Sequence, residues 1–248
     1  MDFSGQHVVI TGASSGIGKA TAKHIAAQGG TVTLIARRGE VLARVAGEMG
    51  ARAGWVAADA GDKAAILAAM DEAQTARGAI DALFLNAAAI GEFEGVTGYS
   101  DEAFQQTLRI NLLSPFWTIR HVLPGMIERA RGAILITGTL GSVRGMVGNS
   151  GYCASKAGAW GLAMDVAMEA APHGVRCNCL IPGFIDTPML AGVPGEAKSQ
   201  MAAIVPQGRI GSVEEAAKVA AFLLSDDASH VTAQALAVDG GLLGTLRM

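Results

Sequence analysis

The chain has 248 residues, half of them apolar, with 19 basic and 22 acidic side chains and a formal net charge of −3. That length fits one α/β domain with a large core. The balanced charge, without any Lys/Arg block, argues against nucleic-acid or anionic-membrane partners. No apolar run approaches the roughly 18 residues of a membrane span.

The N-terminal stretch MDFSGQHVVITG has no basic segment followed by a long apolar one, so no secretory signal is expected and the location expected is cytoplasmic. The first predicted strand is HVVIT (7–11), and it runs into TGASSGIG (11–18) at the start of a helix near 16–28. Glycines at a strand-to-helix turn let backbone N–H groups and the helix dipole approach a pyrophosphate. Gly12, Ser14, Ser15, Gly16, Ile17 and Gly18 are therefore candidate dinucleotide-binding residues.

The second strand, TVTLIA (31–36), ends on Ala36 and is followed by Arg37 and Arg38, which open a helix near 39–49. A dinucleotide site selective for NAD often has an acid here to hold the ribose 2′-hydroxyl. Two guanidinium groups instead suit a 2′-phosphate, so NADP(H) is the expected cofactor and NAD(H) the alternative.

Further along, strands are predicted at 54–58, 82–87, 133–137, 175–181 and 235–239, with helices near 62–77, 101–129, 150–171 and 213–224. The runs show little alternation, as expected for strands covered on both faces. Strand–helix alternation implies a doubly wound, Rossmann-type parallel sheet of about seven strands, in a single domain spanning 1–248. The connection at about 187–212 is long, rich in proline and partly apolar, and is read as a substrate-binding segment. Cys153, Cys177 and Cys179 complete no zinc set, so no metal site is expected.

Two short stretches carry hydroxyls. TGTLGS (137–142) follows the fifth strand, and YCASK (152–156) lies on the next helix. Tyr152 and Lys156 are four residues apart and share a helix face. An ammonium beside the phenol, with a cationic nicotinamide nearby, is expected to lower its pKa from about 10, which suits a general acid/base acting on an alcohol or ketone.

Taken together, TGASSGIG, Asp59, NAA (86–88), Asn111 in RINLLSPF, YCASK, NCLIPGFIDT (178–187) and VDGG (238–241) resemble the short-chain dehydrogenase/reductase family along essentially the whole chain. The resemblance implies an NAD(P)-dependent oxidoreductase that interconverts a secondary alcohol and a ketone. It makes Tyr152 the acid/base, Lys156 the holder of the nicotinamide ribose, and Asn111 the support of a water in a proton relay. Asp59 and Asn86 would line the adenosine side, and Pro182, Gly183, Ile185 and Thr187 the nicotinamide side. The family's serine, thirteen residues before the tyrosine, is here Thr139, with Ser142 the weaker candidate. Three departures stand out: that threonine, Leu85-Asn86-Ala87-Ala88 for Asn-Asn-Ala-Gly, and Ala233 for a glycine, expected to be minor. The nearly all-apolar helix from 150 can be covered only by a second subunit, so a homotetramer or homodimer is expected. Arg144 and Met146 are placed near the site, whose apolar surroundings point to a neutral small-molecule substrate.

Overall fold

The run HVVIT lacks polar alternation because both of its faces are covered. In the computed structural model, which describes residues 1–245, β1 (His7–Thr11) is buried at every position. So are β4 (Ala82–Leu85) and β5 (Gly132–Thr137). With β2 (Thr31–Ala36), β3 (Ala53–Ala57), β6 (Val175–Pro182) and β7 (Ala235–Val238), they form one sheet of order β3-β2-β1-β4-β5-β6-β7. All neighbouring strands are parallel.

Alternate residues of each strand feed two separate cores. Val8, Ile10 and Leu34 pack with α1 (Gly16–Ala27), α2 (Gly39–Gly47) and α8 (Val213–Leu224). Val9, Leu83 and Ile134 pack with α3 (Lys63–Arg77), α5 (Ser114–Glu128) and α6 (Ser150–Ala170). This is the doubly wound sheet expected from the sequence. After β3 the chain crosses from the sheet edge to β4, beside β1. The order reverses there, and a crevice opens at the carboxyl ends of β1 and β4.

Three features differ from the sequence reading. The helical stretch 101–129 is interrupted: α4 (Asp101–Leu108) and α5 are joined by a π turn, Arg109–Leu113. Pro115 has no N–H for the helical ladder, and Asn111 inside the turn is drawn onto the Ala89 peptide. The long connection after β6 contains a helix, α7 (Gly195–Ile204), which carries no buried residue and hence no readable periodicity. Its base is closed by the Ile185–Gly211 bridge, with Gly211 N–H donating to Phe184 O at 2.8 Å and Asp186 N–H to Gly211 O at 2.9 Å. Finally, Ala233 has φ 55°, a left-handed conformation that costs a residue with a Cβ about 1–2 kcal/mol. That replacement of glycine is not minor.

Candidate active site

Everything expected to bind or react is carried at the carboxyl edge of the sheet. At the end of β1 the chain turns through Gly12, whose φ is +67° and where an added Cβ would come within 2.8 Å of Ala87 Cα. Only glycine fits both constraints. Thr11 ties the crevice walls together, its hydroxyl accepting from the N–H groups of Asn86 (3.0 Å) and Ala87 (3.1 Å). Asn86 spends its amide on the same seam: Nδ2 donates to Gly12 O at 3.3 Å, and Oδ1 accepts from the Thr137 hydroxyl at 3.1 Å. The side chain of Asn86 therefore braces the glycine turn.

The N-terminus of α1 has no side-chain cap and no acid in its first turn, so its N–H groups and positive dipole end are uncompensated. Such a terminus fits a pyrophosphate. Across the crevice, Thr187 lies over Gly16, its methyl 3.4 Å from where a Cβ of Gly16 would stand. The segment that continues from Pro182 at the end of β6 through Gly183 and Ile185 thus brings Thr187 and Pro188 against the glycine turn, as a nicotinamide-side wall must. Arg37 and Arg38 are exposed at the end of β2, neither paired with a carboxylate among the described residues. Arg38 reaches back to the turn, 3.5 Å from the Ser14 hydroxyl. Asp59, exposed beyond β3, accepts from Gly61 N–H at 2.9 Å. These residues fit an adenine dinucleotide, with the two guanidinium groups at its ribose end.

The second half of the site stands on β5 and α6. Thr139 follows β5, with its hydroxyl close enough to the phenol of Tyr152 to favour the phenolate. One turn along α6, the ammonium of Lys156 lies 5.8 Å from the Tyr152 ring centroid and donates to Thr137 O at 2.6 Å. Burial raises the Tyr152 pKa above 10.0, and the nearby Thr139 hydroxyl only partly offsets it. In the chain by itself the shift is thus opposite to the lowering expected beside a cationic nicotinamide, because desolvation is the largest influence on the phenol.

Lys156 is 1% exposed and makes no salt bridge among the described residues, and burial lowers its pKa from 10.5 to about 8. Between those values the unfolded chain binds more protons than the folded one, so stability rises with pH across that window. Below pH 8 the full cost of the buried charge is present. Lys156→Met should therefore stabilise the protein at pH 7 by roughly 3 kcal/mol, and the gain should shrink between about pH 8 and 10.5. Guanidinium unfolding at several pH values checks this. A variant less stable at pH 7 would mean that the Thr137 contact outweighs the desolvation.

Asn111 is buried, with Nδ2 donating to Ala89 O (2.8 Å) and to the Ser155 hydroxyl (3.0 Å) and Oδ1 accepting from Ala89 N–H (2.8 Å). With its side chain so occupied, Asn111 can offer a water only its main chain. Ser155, overlooked in the sequence reading, relays this anchor by donating to Tyr152 O at 2.8 Å. Its signal was legible, since it sits between the tyrosine and lysine of YCASK. The Arg144 guanidinium donates to Leu243 O at 2.6 Å. The rim is apolar and exposed, with Phe93 and Val96 after β4, Val143, Met146 and Val147 after β5, and Met189 after β6.

Residues 12–243 match the family model described as enoyl-(acyl carrier protein) reductase. The chain is 37% identical over 242 residues to cis-4-hydroxycyclohexanecarboxylate dehydrogenase of Sinomonas cyclohexanicum, covering 96% of this chain and 97% of that one. It is 36% identical over 242 residues to 2-dehydro-3-deoxy-L-rhamnonate dehydrogenase (NAD(+)) of Sphingomonas sp. (strain SKA58), covering 96% of each. The crystal structure of levodione reductase superposes with a TM-score of 0.95 at 33% identity, covering 98% of this chain and 100% of that one.

Proposed function

The chain belongs to the short-chain dehydrogenase/reductase family and is an oxidoreductase acting on CH–OH and C=O groups, and on that premise we propose that it is an NADP(H)-dependent enzyme interconverting a secondary alcohol and a ketone. One juxtaposition carries the reading: the turn after β5 that begins at Thr139 is tied to α6 through Ser142 and Lys156 O, where Tyr152 stands one helical turn before the buried Lys156 ammonium. When bound, the nicotinamide supplies or accepts the hydride at the carbonyl carbon. The chain does the rest. Thr139 and Tyr152 hold the ketone oxygen between them, and the protonated phenol gives its proton to that oxygen as negative charge develops. Lys156 keeps a positive charge beneath the phenol, and Asn111 and Ser155 fix the helix turn that carries both.

For the cofactor, Arg37 is the main partner of the 2′-phosphate and Arg38 its support, bridging to the glycine turn through Ser14. Arg37→Ala should raise the Michaelis constant for NADPH about ten- to a hundredfold and change that for NADH little, because a charge-assisted bidentate contact is lost. Steady-state kinetics with both cofactors, over a panel of ketones and alcohols, is the test. Equal effects on the two cofactors, or a wild-type preference for NADH, would leave the second reading standing. That reading is an NAD-linked dehydrogenase working oxidatively, in line with the NAD(+) in the rhamnonate relative's own name.

The expected homo-oligomer is proposed to form through α5 and α6. Leu113, Phe116, Met164 and Met168 are all exposed there on the single chain, while the opposite side of α6 is buried against the sheet. The three cysteines are free, and burial keeps Cys179 protonated with a pKa of about 11. Both points agree with the proposed cytoplasmic location.

A further inference from the structure

Two stretches of chain meet just before Tyr152. The arm that follows β4 folds back so that Glu94 N–H donates to Gly148 O at 2.8 Å, which forms an isolated parallel bridge between Glu94 and Asn149 at the entry to α6. The arm then enters α4 through Tyr99 and Ser100, the latter capping that helix. The Ser100 hydroxyl and N–H both donate to the Glu92 carboxylate, at 2.9 and 3.2 Å. Tyr99 is therefore held at the root of the arm, and its ring stands edge-on to Phe104 with centroids 6.3 Å apart.

The Tyr99 phenol fills a slot that glycine leaves open. Its oxygen accepts from Glu92 N–H at 3.2 Å. A Cβ added at Gly91 would overlap that oxygen, and one added at Gly151 would stand 2.8 Å from it and 3.2 Å from Cε1 and Cζ of the ring. Gly91, with φ +76°, is suited to glycine by its backbone alone. Gly151 is not: it lies in the first turn of α6 with no left-handed φ, where glycine costs stability relative to alanine. The three atoms nearest to its missing Cβ all belong to Tyr99, so the phenol is what demands glycine there.

Gly151 is bonded directly to Tyr152. We propose that Tyr99 is a positioning residue, whose phenol bears on Gly151 and sets where the first turn of α6, and with it Tyr152, stands. Asn111 and Ser155 hold the same turn through Tyr152 O, and Tyr99 supplies a second, independent support. The assignment rests on Tyr152 acting as the acid/base. Placement matters to that task, because a displacement of about 1 Å at a reacting group can cost roughly a hundredfold in rate.

A double-mutant cycle on the whole chain tests this, with NADPH and the ketone that turns over fastest in the panel, kcat being counted per NADPH-binding site. Tyr99→Phe should lower kcat about three- to tenfold and leave the Michaelis constant for NADPH within about twofold. Gly151→Ala should lower kcat about ten- to a hundredfold, because its methyl pushes against the Tyr99 oxygen. With that oxygen gone, Tyr99→Phe/Gly151→Ala should recover to within about threefold of Tyr99→Phe alone. Damage to the fold alone would reduce the number of binding sites, not kcat per site, and would show no such recovery. Multiplying losses in the double variant, wild-type kcat for Gly151→Ala, or Tyr99→Phe within twofold of wild type would each overturn the assignment and leave the reductase reading intact. If Gly151→Ala does not fold, Tyr99→Phe decides alone by the same criterion. A wild type that reduces no ketone in the panel overturns both.

Discussion

Tyr152→Phe is expected to remove turnover by about 10²–10⁴ while the protein stays folded and keeps its cofactor affinity. The phenyl ring preserves the packing of a half-buried side chain, and the loss of one hydroxyl costs about 1 kcal/mol, too little to unfold a domain of this size. Steady-state reduction of a ketone, thermal melting and a fluorescence titration with NADPH together check the expectation. Lys156→Ala should behave differently, harming cofactor affinity as well as rate, because one ammonium is assigned two tasks. Since the Lys156 pKa is lowered to about 8 by burial, kcat/KM for reduction should fall as pH rises through that value and the ammonium is lost. Turnover of Tyr152→Phe within tenfold of wild type would falsify the proton-transfer assignment.

The sheet was legible because its strands are buried on both faces. HVVIT and TVTLIA are runs dominated by β-branched and apolar residues, and both strands stand where the runs do. The same physics hides what lies outside the core. Helix α7 buries nothing, so its residues carry no periodic pattern, and its reading as plain connection followed directly. The π turn at Arg109–Leu113 depends on a tertiary contact between Asn111 and the Ala89 peptide, which no local propensity announces. Within the site, residue types and spacing pointed to Thr139, Tyr152 and Lys156, which stand at the end of β5 and on the first turns of α6. They could not give the sign of the Tyr152 pKa shift in the chain by itself, because desolvation is set by everything packed around the phenol.

The choice between Thr139 and Ser142 turns on what each hydroxyl is already doing. A hydroxyl has one proton to give. Ser142 gives its proton to Lys156 O, at 3.1 Å, and accepts from Thr139 N–H at 3.0 Å. It is a clasp that joins the turn after β5 to the helix bearing Tyr152. Thr137, the third hydroxyl of TGTLGS, donates to Asn86 Oδ1 and is buried. Thr139 alone of the three donates its hydroxyl proton to no protein group among the described residues, and it stands at the strand's carboxyl edge, where open parallel sheets bind ligands. Thr139→Val should therefore lose about 10²–10³ in kcat, the scale of a missing donor to a developing oxyanion, and Thr139→Ser should keep most activity. Ser142→Ala should cost less than about tenfold in kcat. It should also lower stability by about 1–3 kcal/mol, because two bonds of the clasp are lost and Thr139 N–H is left without that partner. Kinetics and melting of the three variants decide the matter. If Ser142→Ala instead carries the catalytic loss and Thr139→Val only the loss of stability, the two hydroxyls exchange roles.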